Sequence, residues 1–169
     1  MSLELREFTL ADESSARAAH EQLIAEGFDF LGAAAVLTRD WSGVVDCYRD
    51  WAAGVNPPPG YGPCLTLAAV AHGEFAGRTS IRLGLNDFLA TRGGHIGYAV
   101  IPQHRRRGYA TEILRQSLDI IRGRGVQQVL VTCDDANTGS ASVIQRNGGV
   151  LESVVDDPVE GRYRRYWFN

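Results

Sequence analysis

The sequence contains no lysine, and all 17 basic residues of the 169-residue chain are arginine. We interpret this as a coding bias rather than a functional feature. The acidic residues number 20, so the net charge is −3, with a pI near 5.8. A mildly acidic protein is a poor general binder of nucleic acid, and any function of the arginines is therefore expected to be local.

Cysteine is also scarce: Cys47, Cys64 and Cys133 lie far apart, and no CxxC pair or Cys/His cluster is present. This spacing predicts no zinc site and favours buried thiols in a reducing cytosol. The first residues lack the basic and apolar regions of a signal peptide, and no apolar run reaches roughly 18 residues. We therefore expect one cytoplasmic domain, residues 1–169, without a membrane span.

The pattern of apolar residues predicts the element order β-α-α-β-β-β-α-β-α-β-β. Residues 28–55 are expected to be helical in part, and the strongest helical periodicity follows Gly108. "HIGYAVIP", which ends at Pro102, is a compact apolar strand, and a short helix is predicted for 138–146. Alternation of strands and helices favours an α/β fold, with a mixed sheet covered by helices on both faces.

"HRRRGYA" (His104 to Ala110) stands between that strand and the strong helix. The first N–H groups of a helix are unpaired and lie at the positive end of its dipole, so a helix start can bind phosphate. Gly108 allows a ligand to approach the backbone closely, and Arg106 and Arg107 can add charge. The alternative is a solvated basic first turn, and neither GxxxxGK[ST] nor GxGxxG is present.

The flanks of this stretch, "GYAVIPQHRRRGYATEIL", resemble the acyl-CoA-binding segment of the GNAT-type N-acetyltransferases. Arg105, Gly108 and Ala110 occupy the family's (Q/R)-x-x-G-x-(G/A) positions. "NTGSASVIQRNGG" resembles the family's N-x-x-(A/S) helix, and "LELREFTLADESSA" its first strand and helix, whereas residues 28–60 match poorly. "GGHIGYAV" and "VTCDDANTGS" are similar to a bacterial branch of acetyltransferases. The resemblance implies the GNAT fold, with a central mixed, mostly antiparallel sheet of about 6–7 strands.

The resemblance also implies which residues bind acetyl-CoA, the co-substrate. Backbone N–H groups would hold the CoA pyrophosphate at Arg106, Arg107, Gly108, Tyr109, Ala110 and Thr111. The strand residues Tyr98, Ala99 and Val100 would bond the pantetheine arm through their backbone, freed by a bulge or by separation from the next strand. Asn137 would bond the thioester region or only cap its helix, and Arg105 would contribute to CoA binding or only fix the loop.

Catalytic roles are harder to assign. An α-amine has a pKa near ~8 and a lysine near ~10.4, so a base or a desolvated site must help the nucleophile. His95 is a candidate base, although strand alternation places it opposite Tyr98. Asp134, Asp135 and water are the alternatives, and an amide near Val100 is the candidate oxyanion donor.

The acid that protonates the departing thiolate is a second open assignment. Many relatives have a tyrosine seven residues after the helix-opening asparagine, where this chain has Ile144. Ser140 is the next candidate, with helix capping or packing as its alternative role, and Tyr98 could position a water or the thioester.

The sequence thus predicts an acyltransferase that transfers acetyl from acetyl-CoA to a primary amine of a small molecule or peptide, by direct attack in a ternary complex. The alternative is a CoA-binding module without turnover, and a nucleic-acid binder is disfavoured. No metal is expected. The acceptor would enter between the early helices and the last strands, where Trp41, Tyr48, Trp51 and Tyr61 either line a cleft or belong to the core. Dimerisation is common in the family, so the resemblance leaves a homodimer open.

Overall fold

The structure is a computed structural model that describes residues 2–32 and 40–169. The strands of the described residues are β1 (Leu3–Glu7), β2 (Cys64–Ala71), β3 (Glu74–Arg82), β4 (Ile96–Val100), β5 (Val129–Asp134), β6 (Val150–Asp157) and β7 (Gly161–Phe168). The α-helices are α1 (Glu13–Ile24), α2 (Trp41–Ala52), α3 (Tyr109–Gly123) and α4 (Thr138–Arg146). The predicted order of elements and the α/β class are confirmed. Part of the helix prediction for residues 28–55 falls on 33–39, which lie outside the described residues.

Periodic apolar faces explain two of the long helices, α3 and α2. In α3 the buried positions repeat at helical spacing, at Ile113, Leu114, Ser117, Leu118 and Ile121. Gly125, with φ of 92°, follows the end of this helix, in the conformation that terminates helices most easily in glycine. In α2 the buried face includes Trp41, Val44, Val45 and Tyr48.

The strands form two antiparallel sheets rather than the single sheet expected from the resemblance. One sheet has the order β1-β2-β3-β4, and the other has the order β5-β7-β6. No ladder of the described residues joins β4 to β5. The seven strands therefore match the predicted number, but their sheet divides where β4 and β5 diverge.

Helices cover both faces of the four-stranded sheet. On one face α3 packs against β3, where the Thr79 hydroxyl lies 3.0 Å from the Ser117 hydroxyl and Ile81 joins the cluster around Leu114. On the other face α1 and α2 enclose an aromatic core that contains Phe8 and, from α2, buried aromatic residues. The aromatic stripe of α2 is thus largely core, since the side chains of Trp41 and Tyr48 are buried.

The bulge expected in β4 is not present. The register between β3 and β4 runs without a shift from Gly77 opposite Val100 to Ile81 opposite Ile96. Register shifts occur instead in β2–β3 and in β6–β7. β4 needs no bulge to free main-chain groups, because one of its edges has no partner strand. None of the α-helices in the described ranges has the length and hydropathy needed to cross a bilayer.

Candidate functional site

The divergence of β4 and β5 begins just after His95. The amide of His95 donates to Leu130 O at 2.7 Å, and the amide of Leu130 donates to His95 Nδ1 at 2.9 Å. A Cβ on Gly94 would lie 2.7 Å from Leu130 O, so only glycine allows this close crossing of the two chains. The two strands therefore touch at one end and separate beyond it, which leaves a wedge-shaped opening along β4.

Main-chain groups of β4 face this opening. Arg82 N donates to His95 O and Ile101 N donates to Ala76 O, which identifies two hydrogen-bonded pairs of the β3–β4 ladder. Such pairs alternate along an antiparallel ladder, so the N–H and C=O groups of Tyr98 and Val100 point away from β3. The edge of β4 thus offers backbone donors and acceptors to a molecule in the opening.

The arginine loop that follows β4 has two residues in the left-handed region. Arg106 has a φ of 64° and Gly108 a φ of 83°, and glycine is the residue that adopts this conformation without steric cost. Turns of this kind direct successive N–H groups to one side and form concave anion sites. In the described part of the chain, the N–H groups of residues 106–108 donate to no protein acceptor. The loop is exposed and its amides are available to an anion.

The start of α3 extends this row of donors. Its first intrahelical bond runs from Glu112 N to Gly108 O, so the N–H groups of residues 109–111 precede the ladder. The Tyr109 side chain is buried and orients the first turn towards the sheet. Thr111 O accepts from Asn147 Nδ2 at 3.2 Å, which ties this turn to the end of α4. The geometry suits a pyrophosphate, since anions bind at helix N-termini.

Arg105 fixes the loop, one of the two roles predicted for it. Its Nε donates to Val100 O at 3.1 Å, and its Nη2 lies 2.7 Å from Glu26 Oε2. The contact joins the loop both to the edge of β4 and to the residues after α1. Arg106 and Arg107 are exposed and make no ion pair among the described residues, so their charges remain available.

Two candidate catalytic hydroxyls meet across the opening. Tyr98 Oη and Ser140 Oγ lie 2.9 Å apart, and either can donate. Burial raises the pKa of Tyr98, while its bond to Ser140 acts in the opposite direction, so the phenol stays protonated. Burial also raises the pKa of the Cys133 thiol on β5, and Ser140 acts on that pKa in the opposite direction. Ser140 thus contacts β4 through Tyr98, at the point where β4 and β5 have separated.

Asn137 and Ile144 frame α4. The side chain of Asn137 accepts from Ser140 N at 3.0 Å and caps the helix, as one of its two predicted roles requires. Its Nδ2 donates to no partner in the described residues. Ile144 is fully buried beside Phe168, so the position where many relatives have a tyrosine points into the core.

The candidate bases are already engaged in contacts. His95 is buried and its Nδ1 accepts from Leu130 N, which leaves the neutral ring with its proton on Nε2. Burial lowers the pKa of His95, and the charge of Arg82 adds to this. Asp134 pairs with Arg92 at 2.8 Å. A proton acceptor at His95 would require this main-chain contact to break, and its catalytic role stays a prediction.

Asp135, the other acidic candidate, is likewise bound to an arginine. Its Oδ1 lies 2.6 Å from Arg164 Nε. The described residues contain no group of three or more His, Cys, Asp or Glu that could hold a metal ion.

Sequence reasoning missed two polar residues on the opposite face of β3. Arg78 and Arg82 are partly buried on the side of α1 and α2, and each has an inaccessible Nε without a partner in the described residues. The sequence did contain an indication of them. Positions 78 and 82 are an even number of residues apart, so both arginines point to the same face of a strand, and in a central strand that face is normally apolar.

Comparison with known proteins identifies the family. The family described as acetyltransferase (GNAT) domain matches residues 2–150. The chain belongs to the GNAT acetyltransferase family. Among curated proteins it is similar to N-alpha-acetyltransferase 30 of Schizosaccharomyces pombe, with 24% identity over 86 residues. That match spans 51% of this chain and 57% of the relative, little more than half of each.

Solved structures support the same fold. RimJ of Mycobacterium smegmatis, in complex with CoA-disulfide, superposes with a TM-score of 0.73 at 18% identity and covers 98% of this chain and 81% of its own. The Salmonella typhimurium acetyl transferase that modifies the N-terminal serine of a 50S ribosomal subunit protein gives a TM-score of 0.71 at 17% identity. This second match covers 99% of this chain and 95% of that one.

Proposed function

We propose that this protein is an N-acetyltransferase that uses acetyl-CoA to acetylate a primary amine, by direct attack in a ternary complex. One observation supports it above all others: the unpaired edge of β4 lies beside the free N–H groups of residues 106–108. A strand edge binds an extended polar chain, and a helix start binds phosphate, so together they match the two halves of CoA.

The residues present fit the co-substrate, which supplies an activated acetyl thioester when bound. The N–H groups of residues 106–111 would hold the pyrophosphate, with Arg106 and Arg107 as additional charges. The main chain of Tyr98 would hold the pantetheine arm. Ala99 does not fit its predicted role, because its N–H and C=O point towards β3 in the alternating ladder. Val100 O already accepts from Arg105 Nε, which leaves the Val100 N–H free. The free Nδ2 of Asn137 is a further donor near the thioester end of this path.

The chemistry requires a neutral amine, an oxyanion donor and a proton for the leaving thiolate. The amine nitrogen attacks the acetyl carbon, the carbon–sulfur bond breaks and the thiolate takes a proton. The N–H of Val100, which points into the opening, would donate to the oxyanion. The Tyr98–Ser140 pair would supply the proton, because both hydroxyls stay protonated at neutral pH. The amine would lose its proton to water or to a base such as His95.

The similar proteins support an amine acceptor. The Salmonella neighbour modifies an N-terminal serine, and another neighbour is a ribosomal alpha-N-protein acetyltransferase in complex with coenzyme A. A peptide N-terminus or a small primary amine is therefore the acceptor class that we propose. A cytoplasmic location and a homodimer stay predictions.

A CoA-binding module without turnover is the second candidate. It is favoured by the buried Ile144 in place of a tyrosine acid and by the engagement of His95 Nδ1 with Leu130 N. In that case the N–H groups of residues 106–111, here called the cradle, would bind CoA, but no group would move protons at the thioester.

The experiment incubates the protein with acetyl-CoA and a broad panel of primary amines and N-terminal peptides. Thiol release is measured, the acetylated product is identified by mass spectrometry, and CoA affinity is measured by calorimetry. We expect CoA binding and release of one thiol per acetylated amine. Binding without thiol release for any acceptor would favour the module, and absence of CoA binding would refute both candidates.

A further inference from the structure

The face of β3 opposite α3 has an unusual charge. Thr79 and Ile81 point to α3, and side chains alternate along a strand, so Arg78 and Arg82 point to the side of α1 and α2. Both belong to a central strand that pairs with β2 and β4. Two guanidinium groups therefore lie on the face of the sheet that α1 and α2 cover.

Neither guanidinium forms a direct ion pair with a carboxylate of the described residues, although the charge of Asp29 acts on Arg78 without a direct contact. Most arginines in the described part of the chain do have a direct partner, for example Arg6 with Asp12 at 2.7 Å and Arg164 with Asp135 at 2.6 Å. Residues 33–39, AAAVLTR, contain no acidic side chain that could serve. A guanidinium whose Nε is buried without an acceptor is costly, so this arrangement needs a reason.

A ring contact and hydrogen bonds to main-chain carbonyls position both side chains. Arg78 lies 5.5 Å from the Phe30 ring centroid, and its Nη2 donates to Asp29 O at 3.2 Å. Arg82 Nη1 donates to the carbonyls of Gly93 and Gly94, each at 3.2 Å. Burial lowers the pKa of Arg78, and the charge of Arg82 acts in the same direction, whereas Tyr48 and Asp29 act in the opposite direction.

Their location relates them to acyl transfer. A Cβ on Gly97 would lie 3.6 Å from Arg82 Nη2, so this guanidinium covers the middle of β4. Gly97 and Ala99 are the small residues of β4 on this face, and both are partly exposed. The Tyr98–Ser140 pair lies on the other face of the same strand. An acceptor that approaches β4 over Gly97 would meet the Arg82 guanidinium before it reaches the opening.

We propose that Arg78 and Arg82 form an anion-binding subsite for the acceptor, so that the amine acetylated by this protein also bears a carboxylate or phosphate group. The planar guanidinium fork is suited to either group and binds it with charge-assisted hydrogen bonds. The subsite would hold the acidic group and direct the amine towards the edge of β4. This inference rests on the proposed function.

The test compares amines that differ only in their anionic group. The carboxylate arm uses ω-amino acids from glycine to 6-aminohexanoate against their primary amides, and alanyl-glutamate amide against alanyl-glutamine amide. The phosphate arm uses phosphoethanolamine against ethanolamine. We expect at least one acidic compound to exceed its neutral partner in kcat/KM by about tenfold or more, the size expected for one hydrogen bond to a charged group.

Variants of the two arginines test whether the preference for acidic compounds depends on this subsite. Arg78→Gln and Arg82→Gln are each expected to remove the preference for the acidic compound, mainly through KM, so that the ratio of kcat/KM for the acidic compound to that for its neutral partner falls towards one. Arg122→Gln is the matched control, since Arg122 is partly buried but lies in the last turn of α3 and bonds Asn169 O. Arg78→Lys and Arg82→Lys serve if a glutamine variant does not fold, and should retain part of the preference.

Calorimetry with the protein–CoA complex separates this proposal from the proposed function. Binding of the acidic compound but not its neutral partner, without turnover, would support the subsite and contradict the enzyme. Equal kcat/KM and equal binding for both members of every pair would overturn the subsite even if acetylation is rapid. Loss of preference in the Arg122→Gln control would also overturn it, because the effect would not be local.

Discussion

The two sides of β4 would bind their ligands through different kinds of group. On the side of α3, the proposed cofactor path consists of main-chain groups: the edge of β4, the turn at Gly108 and the first amides of the helix. On the side of α1 and α2, the proposed acceptor path depends on the side chains of Arg78 and Arg82. A site made of backbone requires a particular chain geometry, whereas a site made of side chains can change without altering the fold.

The strongest test of the backbone side is Gly108→Trp. The large side chain would block the cradle, and a φ of 83° is unfavourable for any residue with a Cβ. We expect the Kd for CoA, measured by calorimetry, to rise by about 100-fold. Gly125→Trp is the matched control, because Gly125 also has a positive φ (92°) and follows the other end of the same helix. A similar loss of affinity in both variants would contradict a local cradle.

The next largest effect is expected at the hydroxyl pair between the two faces. Ser140→Ala should lower kcat by roughly 30-fold, below the usual range for a full general acid because Tyr98 remains. Tyr98→Phe should lower kcat similarly, and the double variant should lose little more, since both act in one proton path. Steady-state kinetics checks this.

Ser142→Ala, two positions along α4, is the control for the hydroxyl pair. Unchanged kcat in Ser140→Ala would exclude that hydroxyl from the mechanism.

A variant of His95 tests whether this residue only stabilises the junction of β4 and β5 or also acts in catalysis. His95→Gln should destabilise the fold by about 1–2 kcal/mol, because Leu130 N loses a well-placed acceptor. The pH dependence has a definite sign. Burial lowers the folded pKa of His95, so the unfolded state binds the proton more readily, and stability falls as the pH decreases through about 6.5 towards the folded pKa.

Thermal unfolding between pH 5 and 8 measures that slope, which His95→Gln should reduce. The pH–rate profiles of the wild type and the variant test the catalytic role directly. Identical limbs would exclude His95 as the base, whereas loss of the limb at the histidine pKa would support it.

The smallest effect is expected at the surface contact that fixes the loop. Glu26→Gln removes an exposed ion pair with Arg105, but the Arg105 bond to Val100 O remains. Exposed pairs contribute little, so the Kd for CoA should change by no more than about a factor of two. A larger change would mean that the cofactor side depends on side-chain charge more than its geometry indicates.

The difference between main-chain and side-chain groups also explains which features could be predicted from the sequence. The turn and the helix start after Arg105 were predictable, because a glycine and small residues at fixed spacing precede a strong helix. Their role in binding CoA stays a prediction. The predicted helix at 138–146 matches α4 for the same reason, since Asn137 and the following glycines mark its ends. The division of the sheet was not predictable from periodicity, because β4 and β5 alternate like any paired strands and diverge only through the crossing at Gly94.

The proposed acceptor subsite has no comparable local sequence pattern. Arg78 and Arg82 become neighbours of Gly97 only through the register of β3 with β4, which the residues of one strand do not specify. His95 illustrates the same limit, since its engagement with Leu130 depends on a contact 35 residues away. Local patterns therefore predicted the strand and the helix start around the proposed CoA path, whereas the contacts of the proposed acceptor side depend on tertiary structure.

A crystal structure of the protein with CoA tests the central claim most directly. We expect pyrophosphate oxygens within about 3 Å of the N–H groups of residues 106–111, and main-chain bonds from Tyr98 to the pantetheine arm. The thiol should end near Ser140, on the other side of β4 from Arg82. CoA bound elsewhere, or held by the arginine side chains with the edge of β4 unoccupied, would contradict it.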